Sequence, residues 1–255
     1  TPEYNHEFWR LFRKAVKSVN PEALILAEHY GDPSSWLQGD QWDTIMNYDA
    51  FMEPVTWFLT GMEKHSDSFN NGLLGNGTAF FEAMSYHMSR MQTNTLMASM
   101  NQLSNHDHSR FLTRTNRTVG RIGTLGPEAA EKKVKKCVLR EAVVIQMTWP
   151  GAPTLDYGDE AGLCGWTDPD SRRTYPWENE DFELIEFHRY MAGIHNQLPV
   201  LKRGAIKPLA AGCQQIAYGR MLGQYQAVVA VSNSPSKTVM DIPVWQLGIT
   251  DDMIL

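Results

Sequence analysis

The sequence is poor in cysteine, and its few cysteines exclude two kinds of stabilisation. Among 255 residues there are 3 cysteines: Cys137, Cys164 and Cys213. They are far apart and follow no metal-ligand spacing, so neither a disulfide framework nor a cysteine-based metal site is indicated. We expect reduced thiols, with Cys137 buried on the apolar face of a helix. Unpaired cysteines favour the cytoplasm, but neither chain end resembles a natural terminus, so localisation stays open.

The sequence also lacks a basic stripe and any apolar run approaching the length of a membrane span. Its net charge is −6, which makes nucleic acids and anionic membranes poor candidates for partners. Hydrophobic residues make up 42% of the chain and charged residues 20%. This composition is typical of a globular protein with enough apolar material for a core.

A repeating pattern of strand and helix occupies residues 1–198. Four short apolar segments predict buried strands, and amphipathic periodicity predicts helices between them, including helices over residues 5–19, 126–148 and 181–197. The predicted strands are Ala23–Ala27, Trp42–Tyr48, Thr95–Met100 and Ala152–Tyr157. Buried strands that alternate with helices predict a parallel sheet covered on both faces, and four such units are half of an eight-stranded barrel.

The pattern changes after Pro199. Short β-rich segments appear at 213–218, 224–232 and 238–243, with turn residues between them. This pattern of short β-rich segments and turns predicts a separate all-β module that begins near residues 198–203.

Polar side chains follow the predicted strands at their carboxyl ends, where parallel barrels place their chemistry. Glu28 follows the first strand, and Asn105, His106 and Asp107 follow the third. Two carboxylates on such strands suit general acid–base or glycosidic chemistry. Glu28 is the candidate acid because an apolar strand is expected to bury it partly, Asp107 suits stabilisation of positive charge, and His106 suits donation to a sugar hydroxyl. The alternative is structural, since carboxylates and histidines at loop starts also cap helices and close salt bridges.

Three segments together resemble the α-amylase-type glycoside hydrolases, and most of all the neopullulanase, cyclomaltodextrinase and maltogenic amylase group. Leu24–Asp32 is similar to the family's fifth-strand motif, and Asn101–Phe111 is similar to the seventh-strand motif that ends in His-Asp. Trp149–Trp177 is similar to the eighth strand and the loop after it. The resemblance runs in the family's order through nearly the whole chain.

This resemblance implies roles for five residues. Glu28 would be the general acid/base, and Asp107 would be the third catalytic carboxylate, which holds sugar hydroxyls and steadies the transition state. His106 would bind the sugar at the cleavage point. Asp168 and Arg172 would contact sugars on the non-reducing side, although an internal salt bridge that shapes their loop is an equal alternative.

The resemblance also identifies one family motif that the sequence lacks. The family's nucleophile is an aspartate in a Gly-x-Arg-x-Asp motif on the fourth strand, and nothing in this sequence matches that motif. The resemblance therefore implies an α/β chain built as strands 5–8 of a TIM-type (β/α)8 barrel, residues 1–198, followed by part of an all-β C-terminal β-sandwich domain, residues 199–255. Asp156 stands where the family usually has an aromatic residue, so packing there is expected to differ.

The function implied is that of a fragment of a retaining hydrolase of α-1,4-glucosidic bonds, without turnover on its own. The alternatives are a non-catalytic carbohydrate-binding or complementing subunit and a purely structural relic. The expected partners are an α-glucan and either a second copy of the chain or the missing N-terminal half, because a half barrel leaves sheet edges unpaired. We expect no cofactor and no family calcium site.

Overall fold

The computed structural model describes residues 5–250. The helices and strands are α1 His6–Val19, β1 Leu26–Ala27, β2 Thr44–Ile45, α2 Glu53–Thr60, α3 Gly77–Met88, α4 Thr93–Ala98, β3 Met100–Gln102, α5 Phe111–Arg114, α6 Ile122–Leu125, α7 Lys136–Thr148, β4 Ala152–Thr154, α8 Phe182–Gln197, α9 Pro199–Arg203, β5 Ala205–Gly212, β6 Gln215–Leu222 and β7 Tyr225–Ser232. A π-helical turn, Tyr48–Met52, precedes α2. Short 3₁₀ helices span Pro127–Glu131, Asp170–Arg172 and Val244–Leu247.

The first four strands run parallel and lie beside one another in chain order. β1 pairs with β2, and β3 pairs with β4. A parallel bridge between Met46 and Met100 joins the two pairs. Because the strands share one direction, the segments that follow them emerge at the same edge of the sheet. The candidate site residues therefore approach each other through topology rather than through sequence proximity.

The main core lies among helices α2, α3, α7 and α8 and strands β6 and β7. Phe58, Phe80 and Trp149 are fully or almost fully buried there. Trp149 also meets Tyr218 of β6 edge-on, with ring centroids 4.9 Å apart. The Tyr218 hydroxyl lies 2.5 Å from the Thr148 hydroxyl. The end of α7 thus connects the parallel strands to the antiparallel sheet.

The helix predicted at the start of the chain is confirmed. The Asn5 side chain accepts a hydrogen bond of 3.0 Å from the Phe8 amide, which satisfies a free N–H of the first turn. Trp9 anchors α1 by meeting Trp42 edge-on at 5.4 Å. On its outer side α1 exposes Phe8, Leu11 and Phe12.

The first strand is shorter and less covered than its apolar sequence predicts. Ile25 is buried, but Leu24 is 59% exposed and Leu26 is 38% exposed. The prediction of a strand buried on both faces is therefore wrong for this segment. Both leucines alternate along the chain with the buried Ile25. We use the name α1/β1 face for these two leucines together with the exposed Phe8, Leu11 and Phe12 of α1.

The strand predicted at Thr95–Met100 is wrong, because most of that segment is helical. α4 spans Thr93–Ala98, and the Leu96 amide donates to the Gln92 carbonyl at 2.9 Å. The strand begins only at Met100. Short apolar runs do not distinguish helix from strand, and Leu96, Met97 and Ala98 are all good helix formers.

The long helix predicted over 126–148 is interrupted. Lys133 has a φ of +58°, in the left-handed region, and separates the 3₁₀ helix Pro127–Glu131 from α7. Because α7 starts at Lys136, Cys137 lies in its first turn, where it is exposed. The prediction that Cys137 is buried is therefore wrong. The helix predicted at 181–197 agrees with α8 to within one residue.

The region after Pro199 forms an antiparallel sheet of β5, β6 and β7. The segment predicted as β-rich at 238–243 is not a strand, and the 3₁₀ helix Val244–Leu247 follows it. The division at residue 198 stays a prediction. Within residues 5–250, no helix combines the length and the apolar character needed to cross a membrane.

Candidate active site

Glu28 is joined to the Asn-His-Asp segment by a buried tyrosine. The Tyr48 hydroxyl donates to Glu28 Oε1 at 2.7 Å, and it accepts a bond of 2.9 Å from Asn105 Nδ2. A phenol has one proton to donate and lone pairs to accept with, so both bonds form together. Tyr48 therefore fixes the carboxylate that follows β1 relative to the loop that follows β3.

Tyr30 packs on Tyr48 beside Glu28. Its ring stacks on that of Tyr48, with centroids 4.4 Å apart and an interplanar angle of 6°. Partial burial raises the pKa of Tyr30, and the negative charges of Glu28 and Asp107 raise it further, whereas the bond with Tyr48 and the charge of Lys64 lower it. Tyr30 and Tyr48 thus form one pair of stacked rings beside Glu28. Glu28 itself is exposed, as are Leu24 and Leu26 just before it, so the expectation that it is partly buried is wrong.

The loop that carries His106 and Asp107 is held in shape by its neighbours. Asn105 Oδ1 accepts bonds of 3.0 Å from the amides of Asp107 and His108. The Ser171 hydroxyl donates to the His106 carbonyl at 2.6 Å. His106 Nε2 lies 3.4 Å from Asp107 Oδ1. The backbone is thus fixed, while the His106 side chain stays exposed and the Asp107 side chain partly exposed.

Asp168 and Arg172 lie beside Asp107 and are bonded to each other. Arg172 Nε donates to Asp168 Oδ1 at 2.6 Å, and Arg172 Nη2 lies 3.5 Å from Asp107 Oδ1. The Asp168 amide lies 3.4 Å from the Asp107 carbonyl. The internal salt bridge considered as an alternative is therefore present. The same arginine reaches the candidate carboxylate, so a role toward sugars stays a prediction compatible with this bridge.

Arg110 makes several ion pairs and hydrogen bonds that were not predicted from the sequence. Its side chain is fully buried and lies 2.9 Å from Asp156 Oδ2 and 3.1 Å from Asp159 Oδ1. It donates to the carbonyls of Tyr157 and Ser171 at 2.9 Å each. Burial raises the pKa of Asp156, whereas the charge of Arg110 lowers it. Arg110 thereby compensates two of the acids in the loop after β4.

His108, next to the catalytic candidates, is a neutral packing residue. It is buried, and its ring meets that of Tyr48 edge-on at 5.3 Å. Burial lowers its pKa to about 2, and nearby cations, the largest contribution being that of Arg114, lower it as well. A neutral imidazole here supports the Tyr48 ring without adding charge to the site.

One group in the described part of the chain has the composition of a metal site. Ligand atoms of Glu63, His65 and Asp67 lie within 4.8 Å of one another. However, Arg121 binds both oxygens of Asp67, at 2.7 and 2.5 Å. Glu63 accepts from the amides of His65 and Asp67. These contacts give the group a structural role, and the expectation of no family calcium site stays a prediction.

The phenylalanine substitution of Tyr48 tests whether its hydroxyl holds the site together. Tyr48→Phe leaves Asn105 Nδ2 and Glu28 Oε1 without their partner, so we expect a loss of about 1–2 kcal/mol in the free energy of unfolding. Urea unfolding followed by circular dichroism measures it. Tyr86→Phe is the matched control, because the exposed Tyr86 hydroxyl accepts only from Arg90, and it is expected to cost less than about 0.5 kcal/mol. Equal losses in the two variants would contradict the role of Tyr48.

Comparisons with known proteins identify the family to which the chain belongs. The family model described as the α-amylase catalytic domain matches residues 1–196. Neopullulanase 2 of Thermoactinomyces vulgaris is 35% identical over 243 residues, which cover 93% of this chain and 37% of that protein. Cyclomaltodextrinase of Thermoanaerobacter pseudethanolicus is 33% identical over 240 residues, with coverages of 93% and 37%.

A solved structure is similar over nearly all of the chain. The debranching enzyme from Nostoc punctiforme superposes with a TM-score of 0.81 at 28% sequence identity, covering 95% of this chain and 47% of that one. The chain thus spans less than half the length of the proteins it resembles. Because the family model matches most of the sequence, the chain belongs to the α-amylase family of glycoside hydrolases.

Proposed function

We propose that the chain is the second half of a retaining α-glucan hydrolase that acts on α-1,4-glucosidic bonds of starch-type polysaccharides or maltodextrins. In this proposal β1–β4 are strands 5–8 of a TIM-type (β/α)8 barrel, and β5–β7 belong to a partial C-terminal β domain. The observation that carries it is the link between Glu28 and the loop of Asp107: Tyr48 bonds to Glu28 and to Asn105, and Asn105 accepts from the Asp107 amide. Relatives named neopullulanase and cyclomaltodextrinase support the substrate class.

In the proposed chemistry Glu28 acts twice, and Asp107 and His106 hold the sugar. Glu28 protonates the glycosidic oxygen as the aglycone leaves, and then removes a proton from the water that completes hydrolysis. Asp107 accepts bonds from sugar hydroxyls and stabilises the positive charge that develops at the anomeric carbon. His106, which is exposed beside it, donates to a hydroxyl of the same sugar.

The missing component is the second carboxylate. A retaining mechanism needs a nucleophile about 5–5.5 Å from the acid/base carboxyl. No Gly-x-Arg-x-Asp motif occurs in the 255 residues. Under this proposal the chain alone therefore does not hydrolyse α-glucans. The whole enzyme's activity then depends on another segment that supplies this aspartate.

The α1/β1 face supports a proposal about how that segment associates. Its side chains, Phe8, Leu11, Phe12, Leu24 and Leu26, are exposed and apolar. They flank β1, which pairs on one side only in the described part of the chain. Exposed apolar patches and free strand edges both favour association. We therefore propose that this face binds either the N-terminal half of the catalytic domain or a second copy of the chain.

A second candidate function is a non-catalytic carbohydrate-binding or complementing subunit. It is favoured by one observation: the proposed sugar contacts lie together although the nucleophile motif is absent. His106, Asp107, Asp168 and Arg172 are all at least partly exposed around a fixed loop. Such a subunit would bind α-glucans without cleaving them.

Glucan binding by the purified chain tests the site that both candidates share. We expect isothermal titration calorimetry to detect binding of maltoheptaose, and Asp107→Ala to weaken it about tenfold, because a charged acceptor of sugar hydroxyls is lost. Glu186→Ala removes an exposed carboxylate on α8 and is expected to change nothing. Unchanged affinity in Asp107→Ala would contradict the assignment of Asp107.

A further inference from the structure

A cavity lies where α7 meets the antiparallel sheet. Its volume is about 290 Å³. Arg117 and Lys135 line it together with Glu141 of α7, and Gln214 and Asn233 line it from the side of the sheet. Cavities between packed structural units are common positions for ligand sites. We call this space the Glu141 cavity.

The wall on the side of the sheet is fixed by backbone hydrogen bonds. The Gln214 amide donates to the Gly75 carbonyl at 2.6 Å, and the Asn233 amide donates to the Gln214 carbonyl at 2.8 Å. Asn233 Nδ2 also donates to the Leu59 carbonyl at 2.8 Å. The cavity therefore has a preformed shape, and a ligand orders little of the chain when it binds.

Glu141 is a carboxyl group that lacks compensation inside the protein. Its Oε2 atom is buried and has no hydrogen-bond partner among residues 5–250. Burial raises the pKa of Glu141 to about 7, whereas the charge of Arg117 lowers it. Near neutral pH a large fraction of this group is therefore protonated, and a protonated carboxyl donates a hydrogen bond.

Arg117 faces the carboxyl without pairing with it. Its charge acts on Glu141, but in the described part of the chain the two side chains form neither an ion pair nor a hydrogen bond. A guanidinium presents N–H donors in a planar fork that matches the oxygens of an oxyanion. Lys135 adds a second cation to the same wall. Two cations and a protonated carboxyl all offer hydrogen atoms to one ligand.

The charge of the cavity depends on the protonation of Glu141. The titratable groups that the described residues place on the wall are Arg117, Lys135, Cys137 and Glu141. The sheet contributes side chains that do not titrate, namely Gln214, Asn233, Ser234 and Pro235. At pH 6 the wall therefore carries the charges of the two cations alone. As the pH rises through 7, Glu141 ionises and its negative charge opposes an anion.

We propose that the Glu141 cavity binds a small oxyanion, a sulfate or phosphate group, and that the anion is bound together with a proton on Glu141. Arg117 and Lys135 donate to the oxygens of the anion, and the Glu141 carboxyl donates its proton to another oxygen. None of these residues is a candidate site residue, so the inference does not depend on the proposed function.

Titration of the 255-residue chain with sodium sulfate tests the proposal. Isothermal titration calorimetry at pH 6 and at pH 8, with the ionic strength held constant by sodium chloride, measures the affinity. Sulfate keeps the same charge at both pH values, so a change in affinity reports on the protein. With a Glu141 pKa of about 7, we expect binding to be about tenfold weaker at pH 8, because about a tenth of the carboxyl groups remain protonated there.

Glu141→Gln tests the role of the proton. The amide is a neutral donor at every pH. Its affinity for sulfate should lie within about twofold of the wild type at pH 6 and should be the same at pH 8. A variant that keeps the pH dependence of the wild type would overturn the assignment of the proton to Glu141.

Arg117→Asn tests the guanidinium. Asparagine tolerates the left-handed backbone of this position, where φ is +57°. We expect sulfate binding at pH 6 to weaken about tenfold or more, because a charge-assisted bond is lost. Lys132→Ala is the matched control, since it removes the same charge from an exposed residue that does not line the cavity, and its affinity should stay within about twofold of the wild type.

Three results would overturn the proposal: no sulfate binding by the wild type at pH 6, equal affinities at pH 6 and pH 8, or equal losses in Arg117→Asn and Lys132→Ala. The last would show a diffuse attraction to surface charge. If Arg117→Asn fails to fold, the comparison of Glu141→Gln with the wild type decides. Inorganic phosphate and glycerol 3-phosphate, compared at pH 6, then identify the source of the anion. Equal affinities support a free oxyanion, and tighter binding of the ester supports the phosphate group of a larger molecule.

Discussion

The purified chain is expected to release no reducing sugar from maltoheptaose, and addition of the proposed N-terminal half is expected to restore hydrolysis. The second polypeptide would carry the segment of T. vulgaris neopullulanase 2 that precedes the part matched by this chain. In the proposed function that segment supplies the aspartate of the family's Gly-x-Arg-x-Asp motif. Without a nucleophile the rate is expected to fall by about four orders of magnitude or more relative to the reconstituted pair.

The physical reason is that the two carboxyls of a retaining site act as a unit. The acid cannot replace the nucleophile, because the nucleophile attacks the anomeric carbon while the acid protonates the leaving oxygen. Glu28 is exposed, as is Leu26 of the α1/β1 face two residues before it. A segment that covers this face would bring its own carboxylate next to Glu28 and would exclude water from the site, which strengthens electrostatic interactions there.

Two variants of this chain make the complementation specific. Glu28→Gln keeps the shape but removes the proton, so we expect the reconstituted activity to fall by about 10²–10⁴-fold. Glu22→Gln is the control, since Glu22 is an exposed carboxylate just before β1, and activity should not change. Sugar release by the chain alone would contradict the proposal. Glucan binding with no regained activity, together with a mixed complex in sedimentation velocity, would favour the non-catalytic subunit.

Much of the fold is predictable from the sequence because apolar runs and helical periodicity indicate which side chains are buried. The strand positions near Leu26, Thr44 and Ala152 follow from such runs, and α8 follows from its periodicity. Apolar runs do not show which backbone hydrogen bonds form. Each parallel strand pairs over only two or three residues, and Thr95 and Leu96 are buried in a helix rather than in a strand. A short buried helix and a short buried strand therefore give the same apolar run in the sequence.

The candidate site is predictable only in part, for a related reason. Glu28 and Asp107 come soon after short apolar segments of the sequence, and in the structure they follow β1 and β3. Tyr48 is 20 residues from Glu28 and Arg110 is 49 residues from Asp159, and no local pattern relates these partners. Their roles depend on contacts that exist only once the parallel strands bring the loops to one edge.

Arg110→Met is expected to cost about 3–5 kcal/mol of unfolding free energy at pH 8, which is the usual penalty for breaking a buried ion pair. The variant leaves Asp156 and Asp159 without their cation, in a site where Asp159 is buried and the Asp156 side chain is 17% exposed. Urea unfolding at pH 8 and at pH 5 measures the loss. Arg189→Met is the control, since Arg189 pairs with Glu186 on the surface, and its cost should stay below about 0.5 kcal/mol.

The pH dependence follows from the direction of the Asp156 shift. Burial raises the pKa of Asp156 in the folded state even with Arg110 present, so the folded state binds its proton more tightly than the unfolded chain does. The ionised carboxylate therefore costs stability as the pH rises through its folded-state pKa. Without Arg110 that cost grows, and the penalty of Arg110→Met should be larger at pH 8 than at pH 5.

A double variant isolates the ion pair from loss of packing. Asp156→Asn removes the charge that Arg110 compensates, so Arg110→Met combined with Asp156→Asn should recover about 1–3 kcal/mol relative to the sum of the single losses. If Arg110→Met fails to fold, Arg110→Lys supplies the measurement. It keeps the charge and loses the forked geometry that reaches both acids and two carbonyls, so its cost should be intermediate. Equal penalties at the two pH values, with no recovery in the double variant, would show that Arg110 contributes by packing and not by its charge.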